Sequence, residues 1–284
     1  MKTGYHRFQL GDIECISIND GSFDYQLKDF FFNPPLESIE EALRQHNLPT
    51  NHITSYYTCL YINAGKNKVM VDVGLGKLMP STGMLPENLQ AAGIDPADID
   101  TVIITHLHPD HIGGNLDKEG KLLFPNAQYY MQREEWAFWT SDDEKSKTNL
   151  PEFFFPLVRA KLKPIQQDRL HLLDADTEIV PGIRVIAAGG HTPGHMVVSV
   201  VSGKEQLLHI SDTVLSPIHL DHPDWYPRFD LSPEKAMASK HRILNRAADE
   251  NALVFVYHFP PAINLGYVVK KQIGWEWQPM QRTG

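Results

Sequence analysis

Between Thr105 and Gly114 the chain reads Thr-His-Leu-His-Pro-Asp-His-Ile-Gly-Gly, which places three histidines and one aspartate within six residues. Imidazole nitrogen and carboxylate oxygen are ordinary ligands of divalent metals. In an extended segment residues two apart face the same side, so His106 and His108 can reach one ion together. Pro109 breaks the strand, and Asp110 and His111 at the following turn can point to a second ion beside the first. Gly113 and Gly114 carry no side chain to obstruct a close backbone approach. A lone histidine is more often a surface or core residue than a ligand. The density here, between a buried strand and a glycine pair, favours a metal site.

Three further positions have the same setting. Gly189-Gly190-His191-Thr192-Pro193-Gly194-His195 puts His191 after a strand and before a turn, where its ring can face a pocket at the strand's end. His195 either orients a ligand from behind or stabilises that turn. Asp212 follows the apolar run ending in His209-Ile210-Ser211, and one carboxylate there can bridge two ions. His258 closes Val254-Phe255-Val256-Tyr257. An aspartate after a strand is commonly a cap or turn residue, but four strand ends carrying nitrogen and oxygen ligands reinforce one another. Asp72, at another strand end, either supports a ligand or forms a turn.

These side chains need a frame. Ile13 to Asn19 alternates as a strand, Asp20-Gly21-Ser22 reads as a turn, and Leu36 to Gln45 has helical spacing. Thr58 to Asn63 and Lys68 to Val73 flank Ala64-Gly65-Lys66-Asn67 as a hairpin. Glu87 to Ala92 is a short helix ended by Gly93, and Asp100 to Thr105 is a buried strand. Further strands are expected at Ala127 to Met131, Ile179 to Ala187, Met196 to Val201, Gln206 to Ile210 and Ala252 to Tyr257. Helices are expected at Arg133 to Trp139, Phe153 to Leu162 and Ser232 to Ala247. Such halves fit an α/β (α+β) class with two face-to-face sheets covered by helices.

No repeat, low-complexity tract or linker divides the chain, so residues 1–284 are read as a single domain, with the first ~55 residues capping the site or mediating dimerisation. Lys and Arg number 26 against 35 Asp and Glu, a net charge of −9, and no basic run is present, which argues against nucleic acid as a partner. Cys15 and Cys59 supply neither a zinc knuckle nor a disulfide framework, although a single bridge between them stays open. With no apolar leader and no stretch long enough to span a bilayer, the expectation is a soluble, cytoplasmic protein without a membrane partner.

The His-x-His-x-Asp-His segment, the Gly-His-Thr-Pro-Gly-His loop, the later aspartate and the final histidine resemble the metallo-β-lactamase superfamily. Within it the chain is most similar to the methyl parathion hydrolase branch, with the quorum-quenching acyl-homoserine lactonases as more distant relatives. Less specific words support this over nearly the whole chain: Gly11-Asp12-Ile13-Glu14, Val71-Asp72-Val73-Gly74, Phe124-Pro125-Asn126-Ala127, Val180-Pro181-Gly182-Ile183 and Gly274 to Pro279. The resemblance implies a four-layer αββα sandwich. It assigns His106, His108 and His191 to one ion, Asp110, His111 and His258 to the other, and Asp212 to both. Phe259 to Tyr267 matches the organophosphate enzyme only loosely and its secretory leader is missing, which counts against that native reaction.

The expected activity is that of a dinuclear metal-dependent hydrolase of lactones or of carboxylic or aryl esters, with a hydroxide bridging two Zn²⁺ as nucleophile and Asp110 as catalytic proton carrier. Mn²⁺, Fe²⁺ or Co²⁺ can occupy such ligands as well. Trp139 and one of Phe153 to Phe155, taken as Phe154, match positions that line the substrate pocket in the resembled enzyme. The partners expected are a small ester or lactone and a second copy in a homodimer. Competing readings are a phosphotriesterase, a β-lactamase, a mononuclear iron persulfide dioxygenase and a non-catalytic scaffold.

Overall fold

The computed structural model describes residues 4–281 apart from 147 and 149, and among these fourteen strands form two seven-stranded sheets. The first sheet follows chain order: β1 (Tyr5–Leu10), β2 (Ile13–Tyr25), β3 (Ile53–Ala64), β4 (Asn67–Val71), β5 (Thr101–Ile103), β6 (Gln128–Gln132) and β7 (Leu170–Leu173). The second contains β8 (Thr177–Val180), β9 (Ile183–Ala187), β10 (Met196–Ser202), β11 (Glu205–His209), β12 (Leu253–Phe255), β13 (Leu265–Lys270) and β14 (Trp275–Pro279), also in chain order. Pairing is antiparallel from β1 to β4 and parallel from β4 to β7, and in the second sheet only β11 and β12 are parallel.

Strand side chains alternate between faces, and the sequence loads both faces with apolar residues. Leu60, Ile62, Val69 and Val71 point between the sheets and meet Val198, Val200, Leu207 and Phe255 from the opposite side. Their neighbours Cys59, Tyr61, Met70 and Val102 face outward, under helices Leu85–Ala91 and Phe154–Leu162. On the far side Val197, Leu208 and Val254 pack under helix Pro233–Asp249, which buries Lys240, Ile243, Leu244 and Ala247 at helical spacing. The result is helix, sheet, sheet, helix, the four-layer α/β frame expected. Cys15 and Cys59 are both free and lie on opposite faces of the first sheet, which settles the question of a bridge. No helix among the described residues is long and apolar enough to cross a membrane.

Some local expectations change. Asp20-Gly21-Ser22 is no turn: β2 continues to Tyr25 through a bulge between Asn19 and Gly21. The bulge frees the Asp20 carboxylate to accept the backbone N–H groups of Gly76 and Leu85, each at 2.9 Å. Ile179 to Ala187 is two strands, β8 and β9, because Gly182 (φ 82°) folds the chain back on itself. Strands β1, β7, β13 and β14 are additions to the expected set. They lie at or beside the sheet edges, where their apolar residues are interspersed with polar ones.

The N-terminal segment joins the frame at two places. Its strands extend the first sheet, and Leu27, Phe30, Phe31, Ile39 and Leu43 cluster with Leu215, Ile218 and Trp225. Arg228 Nη1 donates to Asp29 Oδ1 at 3.1 Å across the same contact. This holds residues 23–30 beside the strand ends that carry the histidines.

Candidate dinuclear metal centre

The seven expected ligands sit where strands stop or in the turn just beyond them. His106 and His108 follow β5, His111 lies on the single-turn helix Pro109–Ile112, His191 follows β9, Asp212 follows β11 and His258 follows β12. The register brings these ends to one edge of the sandwich. Two non-glycine residues there adopt left-handed backbone, Asp72 (φ 58°) and Ser211 (φ 45°), a conformation that persists only where surrounding contacts enforce it. The Asp72 carboxylate supplies such contacts, accepting from Thr105 N, Thr105 Oγ1 and His111 Nδ1, each at 2.8 Å.

The ligand atoms form two groups. His106 Nε2 lies 3.1 Å from His108 Nδ1, which lies 2.9 Å from His191 Nε2. Asp212 Oδ2 stands 3.2 Å from His191 Nε2 and 3.8 Å from His106 Nε2. The same carboxylate reaches the other group, with Oδ1 3.1 Å from His111 Nε2 and Oδ2 3.1 Å from His258 Nε2. Asp110 Oδ2 completes that group, 3.6 Å from His258 Nε2 and 3.9 Å from His111 Nε2. The four ligand atoms of His106, His108, His191 and Asp212 all lie within 4.8 Å of one another, as do the three of Asp110, His111 and His258.

Divalent ions fit this arrangement. His111 Nε2 and Asp212 Oδ1 are buried and lack a hydrogen-bond partner although they face each other, a costly state that a shared cation relieves. Burial and then the facing rings hold His106 and His108 well below the usual histidine range, leaving their lone pairs free. Burial would also lower His191, but hydrogen bonds to Asp212 and Asp230 push it up to about 10. For His111 the opposing charges of Asp212, Asp72 and Asp110 likewise outweigh burial. The pocket attracts positive charge, whether proton or metal.

Other contacts fix the rings. His258 Nδ1 donates to Tyr56 O at 3.0 Å, leaving Nε2 for a metal. His195 Nδ1 donates to Ala188 O at 3.0 Å and its Nε2 accepts the Asp212 N–H at 3.2 Å, so it touches the backbone of a ligand rather than the ligand cluster. Two residues escaped the sequence reading. Asp230 accepts His191 Nδ1–H at 2.7 Å, and Glu135, fully buried, accepts from Leu107 N at 2.8 Å, Gly194 N at 2.9 Å and Trp139 Nε1 at 2.7 Å. Neither stands beside a recognisable motif. The one available signal for Glu135 is a carboxylate on the inward stripe of the helix Arg133–Thr140.

Loss of the Asp230 contact frees the His191 ring to rotate. Asp230→Ala is expected to weaken metal affinity or activity about 10–100-fold while the fold persists. Metal titration of the variant by calorimetry checks this, and an unchanged affinity refutes it.

A cavity of about 520 Å³ opens over the ligands, with His108, Asp110, His191, Asp212 and His258 in its floor and Phe23, Tyr25, Phe30, Phe153, Phe154 and Phe229 among its walls. Phe154 faces His108 at 6.3 Å between ring centroids. Trp139 does not reach the wall, contrary to expectation. It is fully buried behind His108, because the same helix stripe that carries Glu135 turns its indole inward to that carboxylate.

Comparison with known proteins agrees with this geometry. The sequence profile of the metallo-β-lactamase superfamily matches residues 54–258, a span that holds all seven ligand residues. An N-acyl homoserine lactonase from Bacillus thuringiensis is 29% identical over 175 residues, 60% of each chain. Another, from Bacillus cereus, is 24% identical over 232 residues, 74% of this chain and 84% of the relative. The chain thus spans about 60% of the length of several curated relatives that it matches. Among solved structures, AidC, a dizinc quorum-quenching lactonase in complex with a product, superposes with a TM-score of 0.92 at 29% identity, covering 99% of both chains. The hydrolase AbOPH superposes at 0.91 with 25% identity and the same coverage. Ligand segments, two-sheet frame and matched span coincide, and the chain belongs to the metallo-β-lactamase superfamily.

Proposed function

We propose that this protein, as a single domain, hydrolyses lactones or carboxylic and aryl esters with two Zn²⁺ per chain held by His106, His108, His191, Asp110, His111, His258 and the shared Asp212. The observation that carries this reading is the position of Asp212, within 3.8 Å of four histidine nitrogens on the floor of an aromatic cavity. The lactonase relatives support the substrate class. Imidazole-rich ligation with carboxylates suits zinc, and its supply in the cell decides between it and Mn²⁺, Fe²⁺ or Co²⁺.

When bound, such a pair of ions polarises a carbonyl oxygen and lowers the pKa of water to about 7. The chain's own groups do the rest. Asp110 is the most exposed of the acidic ligands, its side chain 17% exposed against 3% for Asp212, and it lines the cavity. It is therefore placed to take the proton lost as the new carbon–oxygen bond forms and to give it to the alkoxide as the ester bond breaks. The aromatic walls accept an apolar acyl or aryl group and exclude bulk water.

Protein purified without chelator is expected to hold close to two metals per chain, and to cleave lactones or aryl esters with higher kcat/KM than phosphotriesters or β-lactams. Kinetics on such a panel at matched metal loading provide the test. If methyl parathion or a β-lactam beat every lactone and ester by more than ~100-fold, about 2.7 kcal/mol in transition-state preference, the reading falls. A stable content near one metal with full activity points instead to a mononuclear dioxygenase.

A further inference from the structure

Two phenols meet at the edge of the cavity. Tyr57, on β3, is fully buried, and its hydroxyl lies 2.8 Å from that of Tyr25, its one hydrogen-bond partner among the described residues. A buried O–H with no acceptor is costly, so Tyr57 has to donate its proton to Tyr25 Oη. Each phenol carries a single proton. Tyr25 therefore accepts from behind, and its own O–H is left to point forward, into the cavity that Tyr25 lines together with Asp110, Asp212 and His258. Contacts with Phe23 at 5.1 Å, Phe30 at 5.3 Å and Phe229 at 6.1 Å fix the Tyr25 ring. Burial first, and then the charge of Asp110, push the Tyr25 phenol upward, which keeps the proton in place.

We propose that Tyr25 is a catalytic residue whose hydroxyl donates a hydrogen bond to the substrate's carbonyl oxygen as negative charge gathers there, with Tyr57 aiming it. No proton is transferred: the hydroxyl stays intact and stabilises the charge by its dipole, as any fixed donor does at a developing oxyanion. The inference rests on the ester and lactone reading above, but on a different observation, the one-way hydrogen bond between the two phenols.

The test uses the metal-loaded full chain with p-nitrophenyl acetate and N-hexanoyl homoserine lactone. Tyr25→Phe is expected to lower kcat about 10²-fold on both substrates, with KM, metal content and thermal midpoint close to wild type. Tyr57→Phe loses less, and the double variant is no slower than Tyr25→Phe, because Tyr57 acts only through its neighbour. The proposal is overturned if Tyr25→Phe keeps kcat within about twofold of wild type, if the loss lies wholly in KM or metal content, or if the two losses multiply. A loss confined to the lactone also overturns it: p-nitrophenolate is a good leaving group, and sparing that ester places the donor on the leaving oxygen. If wild-type protein cleaves the aryl ester but no lactone, the lactone reading falls while Tyr25 is judged on the ester. If it cleaves neither, both readings fall.

Discussion

Asp212→Ala is expected to empty the metal centre and lower kcat/KM by at least ~10³-fold, equivalent to about 4.1 kcal/mol. The reasoning starts from what the carboxylate touches. Its two oxygens lie 3.1–3.8 Å from the ligand nitrogens of His106, His111, His191 and His258, so both groups of ligands lose their shared anion at once. Burial alone would raise this carboxyl's pKa, yet the facing rings of His258, His111 and His106 hold it well below the usual carboxylate range, and it stays ionised. Without it, five histidine rings face one another with no carboxylate between them, since Asp110 lies to one side and Asp72 and Asp230 hold only the far nitrogens of His111 and His191. Removing a contact behind a ligand typically costs 10–100-fold, and a shared ligand has to exceed that. His195→Ala provides the comparison. It removes an acceptor for the Asp212 N–H but no ligand atom, so it should retain most bound metal and lose no more than about 10–100-fold in activity. Elemental analysis and kinetics on both variants decide the matter, and the reverse ranking would show that the ligand assignment is wrong.

Glu135→Ala is expected to lower stability by about 3–5 kcal/mol, a fall in thermal midpoint on the order of 10 °C. The carboxylate is fully buried and accepts three donors: Leu107 N, between the metal ligands His106 and His108; Gly194 N, in the loop that carries His191; and the Trp139 indole. Truncation leaves all three buried without a partner, at roughly 1–3 kcal/mol each less whatever water enters. Glu135→Gln should cost less, because one oxygen survives for Leu107 and Trp139, while the amide nitrogen opposes the Gly194 N–H. The two loops belong to different sheets, so the fully truncated variant should also bind metal more weakly than wild type. Calorimetric unfolding with and without added Zn²⁺ separates the effects. A Glu135→Ala protein with an unchanged midpoint would mean that the loops are held by something else.

How much of this was legible beforehand differs from residue to residue. His106, His108, Asp110 and His111 announced themselves because a metal site built on one strand end and one turn compresses its ligands into adjacent sequence, and density is a signal that composition cannot imitate. His191 and His258 were legible through the apolar strands preceding them. Strands buried on both faces, such as Thr101–Ile103 and Leu253–Phe255, were visible as continuous apolar runs. Edge strands such as Leu170–Leu173, half-buried throughout, carried no such mark. The bulge at Asn19 and Gly21 looked like a turn because a positive-φ glycine beside an aspartate serves either purpose locally. Only the Gly76 and Leu85 amides that Asp20 serves decide between them.

By itself the sequence determined the ligand chemistry and the alternation that makes two sheets, since both are properties of residues close together in the chain. It did not determine that Asp230 holds His191, that Glu135 joins two ligand loops, that Trp139 turns away from the cavity, or that Tyr25 and Tyr57 share a hydrogen bond. Those partners lie 39, 28 and 59, 4, and 32 residues apart. Even the short-range pair, Glu135 and Trp139, takes its meaning from what the helix packs against. A polar side chain advertises only its capacity to donate or accept. Which buried group it serves is fixed when the sheets close over it and water is no longer there to serve instead.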